Sequence, residues 1–191
     1  MLAPNSVSMV NDTPTLHCVK CAQPSLLKQG EKAFRCSLCG FVYFHNVAAA
    51  VSGVIVCDQQ MLLVQRAQRP SKGKLDFPGG FVDYNESNEQ ALTRELLEEL
   101  QLPIDNMRYL FSYPNRYLYQ DVLYYTSDSF FEIHLTTKPA LVLQQDEVSR
   151  YLWLDMSTVN ANELAFASGQ NALRAYLRGN NYDRRGGMTK K

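Results

Sequence analysis

The stretch from Gly80 to Leu102, GFVDYNESNEQALTRELLEELQL, constrains this chain more than any other. It reads as a glycine turn, a short acidic loop and a helix. Leu92, Leu96 and Leu100 recur every fourth residue, so they line one helical side, the side such a helix buries. Glu95, Glu98 and Glu99 stand at i, i+3 and i+4, which gathers three carboxylates on another side. Like charges at that spacing repel, by roughly a few tenths of a kcal/mol per pair in water. A helix selected only for solubility would mix in lysines, and the nearest cation, Arg94, is expected to point elsewhere on the wheel. The cluster makes sense against a divalent cation, and oxygen ligands suit a hard ion such as Mg2+ or Mn2+.

The same spacing resembles the Nudix box, G-x5-E-x7-R-E-U-x-E-E-x-G-U with U aliphatic. The matching residues are Gly80, Glu86, Arg94, Glu95, Leu96, Glu98, Glu99 and Leu102. Gln101 stands where the family has glycine; Pro103 can still end the helix, because it cannot continue one. The resemblance implies a Nudix α/β/α sandwich with a mixed sheet, and hydrolysis of a nucleoside diphosphate linked to another group. It implies a catalytic set of Glu86, Arg94, Glu95, Glu98 and Glu99. Within that set, Glu95 and Glu99 are expected as direct metal ligands, Glu98 binds a second ion or a metal-bound water, and a Glu86–Arg94 ion pair braces the loop against the helix. The backbone of Gly79 supplies a further ligand. Glu147, in the run Asp146–Trp153, resembles a late-strand carboxylate that zinc-ribbon NADH pyrophosphatases add to their metals; a solvated strand-end glutamate is the alternative.

Cys18, Cys21, Cys36 and Cys39 form two C-x2-C pairs. Each pair can wrap one ion from a tight turn, and four thiolates make a closed tetrahedral Zn2+ site, the zinc-ribbon pattern. A closed site is structural, and so small a segment draws most of its stability from the metal. Two disulfides or free thiols are the competing reading, disfavoured by the lack of an export signal. His17 could compete as a ligand, although four cysteines suffice. The lone Cys57 lies on an apolar strand and is expected in the core.

The 191 residues thus divide into a flexible arm (1–14), a zinc ribbon (15–45), a Nudix domain (46–178) and a disordered tail (179–191). Lys+Arg and Asp+Glu are both 19, so no global field draws the chain to nucleic acid, which is disfavoured as a partner. The apolar runs are too short to span a bilayer and the start lacks the features of a signal peptide, so a cytoplasmic, soluble protein is expected. Strands are read at Val47–Val56, Met61–Arg66, Met107–Ser112 and Glu147–Leu154. Val122–Leu135 is strand-like but interrupted at Thr126–Ser129. Asn162–Arg178 is read as a helix with a break near Ser168–Gly169.

A ribbon followed by a Nudix domain is similar to the NADH pyrophosphatase group. The members specific for NADH carry SQPWPFPxS after the box; here Ser112-Tyr113-Pro114-Asn115-Arg116-Tyr117-Leu118-Tyr119 keeps only Ser112 and Pro114. ADP-ribose, which shares the ADP half, is an equal candidate to NAD(H), with AMP as product. Tyr113, Tyr117 or Tyr119 could stack on adenine, or could form one plain strand face. Dinucleoside polyphosphates and NTPs remain alternatives, as does a non-catalytic sensor or partner-binding module. The resemblance implies a homodimer.

Overall fold

Short polar runs between the cysteines leave little apolar surface to bury, and the first part of the chain folds accordingly around its thiols. The structure, a computed structural model, describes residues 16–184, and of 180–184 the backbone alone. Strands β1 (Leu26–Lys28), β2 (Ala33–Cys36) and β3 (Val42–Phe44) form an antiparallel sheet in that order. Cys18, Leu26 and Cys36 are buried together, with Phe34, Phe41 and Tyr43 packed against them. The chain divides into two units between Asn46 and Val47.

The second unit runs β4 (Ala48–Cys57), β5 (Gln60–Arg66), β6 (Leu75–Asp76), α1 (Asn88–Leu100), β7 (Arg108–Tyr119), β8 (Val122–His134), β9 (Val148–Asp155) and α2 (Ala167–Arg184). The sheet order is β6-β5-β4-β8-β7, with β9 on β5. β4 and β8 are parallel and their other partners antiparallel, so the sheet is mixed. Alternation sends Val51, Ile55, Leu62, Val64, Phe131 and Ile133 to one face, where Leu92, Leu96 and Leu100 of α1 cover them. Val54, Val56, Met61, Leu63 and Phe130 line the opposite face, under Ala172, Leu173 and Tyr176 of α2. The result is the expected α/β/α sandwich. Truncating Leu92, Leu96 or Leu100, each fully buried, to alanine would cost about 2–5 kcal/mol.

Several boundaries differ from the sequence reading. The strand placed at Met107–Ser112 continues through the tyrosines to Tyr119, and β8 is not interrupted at Thr126–Ser129. Thr126, Asp128 and Ser129 are polar yet buried, because hydrogen bonds replace the water they lose. Gln120 and Asp121, both at positive φ, form the two-residue turn between these strands. The break in the last helix falls earlier than Ser168, after a 3-10 turn at Ala161–Glu163. α2 then carries on to Arg184, through the start of the segment read as a disordered tail; the remainder of that tail and the arm at 1–14 lie outside the described residues. No helix among the described residues is long and apolar enough to cross a membrane.

Candidate active site

Helix α1 starts at a capping box. The Ser87 side chain accepts from the Gln90 N–H, and the Gln90 side chain accepts from the Ser87 N–H. At the other end Gln101 takes the left-handed conformation (φ 52°, ψ 38°), and its N–H bonds back to the last turn. The helix therefore exits as a glycine-ended one does, with a non-glycine residue in the position. Its buried side fixes the rotation, and that rotation turns Glu95, Glu98 and Glu99 into one cavity of about 410 Å³.

The three carboxylates meet different surroundings there. Glu99 is buried, at 7% exposure, and accepts a hydrogen bond from the Gly79 N–H at 3.0 Å. Burial pushes its carboxyl up to about 8, against the Gly79 bond that favours the charged form. Glu95 is also raised, by burial first, while the neighbouring Arg94 opposes the shift. Glu98 is half exposed at the cavity mouth. Glu147, exposed just before β9, lines the same cavity and adds its negative charge to the field at Glu95 and Glu99. Four carboxylates gathered on one cavity form a donor set suited to a hard divalent cation. The glycines make room: Gly79 has φ 140°, and a Cβ on Gly80 would run into the Glu95 carboxylate. Val51 N–H donates to Gly80 O at 2.8 Å and Gly53 N–H to Pro78 O at 2.9 Å, so this turn is clamped to β4.

Arg94 does not point away from the acids, as the helical wheel implied. Its long side chain lies along the acidic side. It donates to Glu86 through Nε (2.7 Å) and Nη2 (3.0 Å), to Glu95 at 2.9 Å, to Glu98 at 3.1 Å and to the Phe81 carbonyl at 3.0 Å. The fork to Glu86 is the brace between loop and helix. Arg94 holds the Glu86 carboxyl below the usual carboxylate range, and its own proton is held more firmly than usual, chiefly by Glu86.

Tyr113, Tyr117 and Tyr119 share one side of β7, and what lies over the sheet at each point sorts them. Tyr117 and Tyr119 line the cavity, where Tyr117 meets Phe81 (ring centroids 5.5 Å apart) and Phe166 (5.4 Å). Tyr113 does not reach it: its ring packs on Phe111 and Phe130 beneath α2. The rest of the lining holds groups the sequence reading passed over. Arg66 pairs with Asp76 at 3.2 Å and lies over the Phe166 ring at 4.9 Å. Burial raises Asp76 to about 6, with Arg66 opposing. Asn115, Thr126, Asp128 and Ser168 complete that lining. Polar residues inside an otherwise apolar strand were the signal for Thr126 and Asp128.

In the first unit the thiols of Cys18, Cys21, Cys36 and Cys39 all lie within 4.8 Å of one another, without His17. Cys18 and Cys39 sulfurs are 3.7 Å apart, as are those of Cys21 and Cys36. A disulfide needs about 2.05 Å, whereas the edge of a tetrahedron with zinc–sulfur bonds of about 2.3 Å is roughly 3.8 Å. The spacing therefore fits Zn2+ and leaves the cysteines free of one another. A hydrogen bond with the Ser25 hydroxyl, then one from the Cys39 N–H, lowers the Cys36 thiol to about 6, favouring the thiolate that a metal takes. Cys57 is buried in the other unit.

The family of the NUDIX domain matches residues 47–176. Among curated proteins, NAD-capped RNA hydrolase NudC of Klebsiella pneumoniae is 34% identical over 97 residues, 51% of this chain and 37% of that protein. ADP-ribose pyrophosphatase of Methanocaldococcus jannaschii is 39% identical over 77 residues, 39% of this chain and 45% of that protein. The match thus spans less than half the length of either relative. Among solved structures, the NUDIX domain of Shewanella oneidensis NrtR, complexed with ADP ribose, is 26% identical with a TM-score of 0.59, covering 71% of this chain and 90% of that one. A NUDIX hydrolase from Nitrosomonas europaea, 20% identical, shares the fold over 87% of this chain and 92% of its own, with a TM-score of 0.65.

Proposed function

This chain belongs to the Nudix family, and from that premise we propose that it is a divalent-metal-dependent hydrolase of nucleoside diphosphate derivatives, cleaving the pyrophosphate bond of ADP-ribose or NAD(H) to release AMP. The observation that carries the reading is the convergence of Glu95, Glu98, Glu99, Glu147 and the Gly79 turn on one cavity. Mg2+ or Mn2+ is the fitting ion, and the chemistry such an ion supplies is neutralisation of the diphosphate and activation of water. The chain's own residues do the placing. Glu95 and Glu99 supply ligand oxygens from one helical turn, Glu98 and Glu147 close the mouth, and Arg94 with Glu86 holds the glycine turn against the helix. Tyr117 and Tyr119 give a flat apolar wall on which a base can stack. The relatives' names support the substrate class, since NAD caps and ADP-ribose share an adenosine diphosphate anhydride. The cysteine cluster would hold a structural Zn2+, in a cytoplasmic protein.

The test is incubation of the full chain with ADP-ribose, NADH, NAD, diadenosine polyphosphates and NTPs, with Mg2+ or Mn2+, reading AMP and phosphate. AMP release from ADP-ribose or NAD(H), abolished by chelation and lowered at least about a thousandfold in Glu98→Gln and Glu99→Gln, is the expected result. Hydrolysis that survives chelation would overturn the enzyme reading. Tight ligand binding without turnover, unchanged in both variants, would indicate a sensor instead.

A further inference from the structure

Along β7, residues 115, 117 and 119 point to the same side of the sheet. Tyr119 is 43% exposed and Asn115 only 8%, so this row of side chains leads from the cavity mouth to its floor. Asn115 lines the cavity, and among the described residues its side-chain amide has no hydrogen-bond partner. The residue is buried as a whole, yet its amide atoms open onto the cavity, where a ligand can reach them. Its surroundings make the site selective. Thr126 sits directly opposite Asn115 in register. The Thr126 hydroxyl donates to Asp128 Oδ1 at 2.5 Å, and the Ser168 hydroxyl donates to Asp128 Oδ2 at 2.5 Å. Each hydroxyl has one proton, and both are committed to the carboxylate. The trio therefore faces the cavity with acceptors only.

We infer that Asn115 reads the hydrogen-bonding edge of the substrate's nucleobase, with Tyr117 beside the ring, and that the pocket selects a base carrying an exocyclic amino group next to a ring-nitrogen acceptor, as adenine does. The inference rests on the reading that the diphosphate is held at the acidic helix. An amide offers one acceptor and one donor side by side, which matches an amino group and its neighbouring ring nitrogen. The second amino hydrogen meets the acceptors around Asp128. Hypoxanthine, with an oxo group in place of the amino group, would put an acceptor against those acceptors whichever way the Asn115 amide turns. A purely structural role, tying β8 to the start of α2, accounts for Thr126, Asp128 and Ser168. It gives the Asn115 amide nothing to do.

The experiment compares ADP-ribose with inosine diphosphate ribose as substrates of the full chain with Mg2+, alongside equilibrium binding of AMP and IMP by calorimetry. The expected adenine preference is about 10- to 100-fold in kcat/KM. In Asn115→Ala the base edge is no longer held against the Asp128 acceptors, so the preference falls, through loss on the adenine substrate, and AMP binding weakens towards that of IMP. Equal handling of the two bases by the unaltered chain, or an undiminished preference in Asn115→Ala, overturns the inference. Should Asn115→Ala not fold, as read by circular dichroism, the comparison of bases in the unaltered chain decides. If neither compound is hydrolysed while AMP is still preferred to IMP, the hydrolase reading fails and the base subsite stands. If both are hydrolysed equally, the hydrolase reading stands and the base subsite fails.

Discussion

A Cβ on residue 80 would lie 2.4 Å from Oε1 of Glu95, so Gly80 is a glycine because the Glu95 carboxylate occupies the space beside it. The obstructing atom is the end of a flexible side chain, which can move aside cheaply. Gly80→Ala should therefore change the melting temperature by only a few degrees, yet lower kcat by about a hundredfold, because the displaced oxygen is a proposed metal ligand. Gly79 supplies the contrast. Its added Cβ would meet the Val51 carbonyl oxygen at 2.2 Å with φ at 140°, and neither backbone can give way. Gly79→Ala should cost more than about 2 kcal/mol in denaturant unfolding. Equal losses of stability in the two variants would remove the distinction.

The guanidinium of Arg94 spans Glu86, Glu95, Glu98 and the Phe81 carbonyl at once. A lysine keeps the charge but cannot make the planar fork to Glu86. Arg94→Lys should free the 81–86 loop from the helix, speed amide exchange there and lower kcat by roughly 10- to 100-fold, with the helix intact by circular dichroism. Unchanged exchange in that loop would show that the brace is not what holds it.

The box helix was legible in the sequence because two periodicities coincide in it, the leucines four apart and the glutamates three and four apart, and local spacing fixes both. Arg94 was misplaced because a helical wheel records Cβ directions, and a long side chain can curl back along the axis. The rest of the cavity lining was not legible for a different reason. Asn115, Thr126, Asp128 and Ser168 come from two strands and a helix, and only the β7–β8 register and the packing of α2 bring them together. Polarity within a strand looked like an interruption, although it marked a lining. Tyr113 and Tyr117 stand on the same strand, yet one meets the core and the other the cavity, according to what lies over the sheet at each point.

The ribbon's cysteine turns bury few apolar side chains, so the thiols must be joined by something stronger than packing. The purified chain should carry about one zinc per molecule. Cys36→Ser, or a strong chelator at neutral pH, should abolish amide protection between β1 and β3 while the sheet from β4 onward keeps its own, since the two units have separate cores. Hydrogen exchange read by mass spectrometry distinguishes the two. A chain isolated free of zinc, with its cysteines in disulfides, would contradict the assignment.

Proton release on metal binding follows from the burial of Glu99. Its carboxyl is raised to about 8, far above the ordinary value of 4.5, so the metal-free folded chain holds a proton at neutral pH that the unfolded chain has lost. The sign is that of a destabilising acid: without metal, stability declines as pH rises from about 4.5 towards about 8, because the folded state binds more protons than the unfolded one. A divalent cation accepted by Glu99 must displace that proton. Calorimetric titration of Mg2+ or Mn2+ at pH 7, in buffers of different ionisation enthalpy, should register release of about 0.9 proton per site. Apparent affinity should rise close to tenfold per pH unit between about 6 and 8, then level off. In Glu99→Gln both the release and most of that slope should vanish, and in the presence of a chelator at pH 8 this variant should unfold later than the unaltered chain, since it carries no buried charge. Binding heats independent of buffer would mean that Glu99 is already ionised before the metal arrives, and that the Gly79 N–H outweighs its burial.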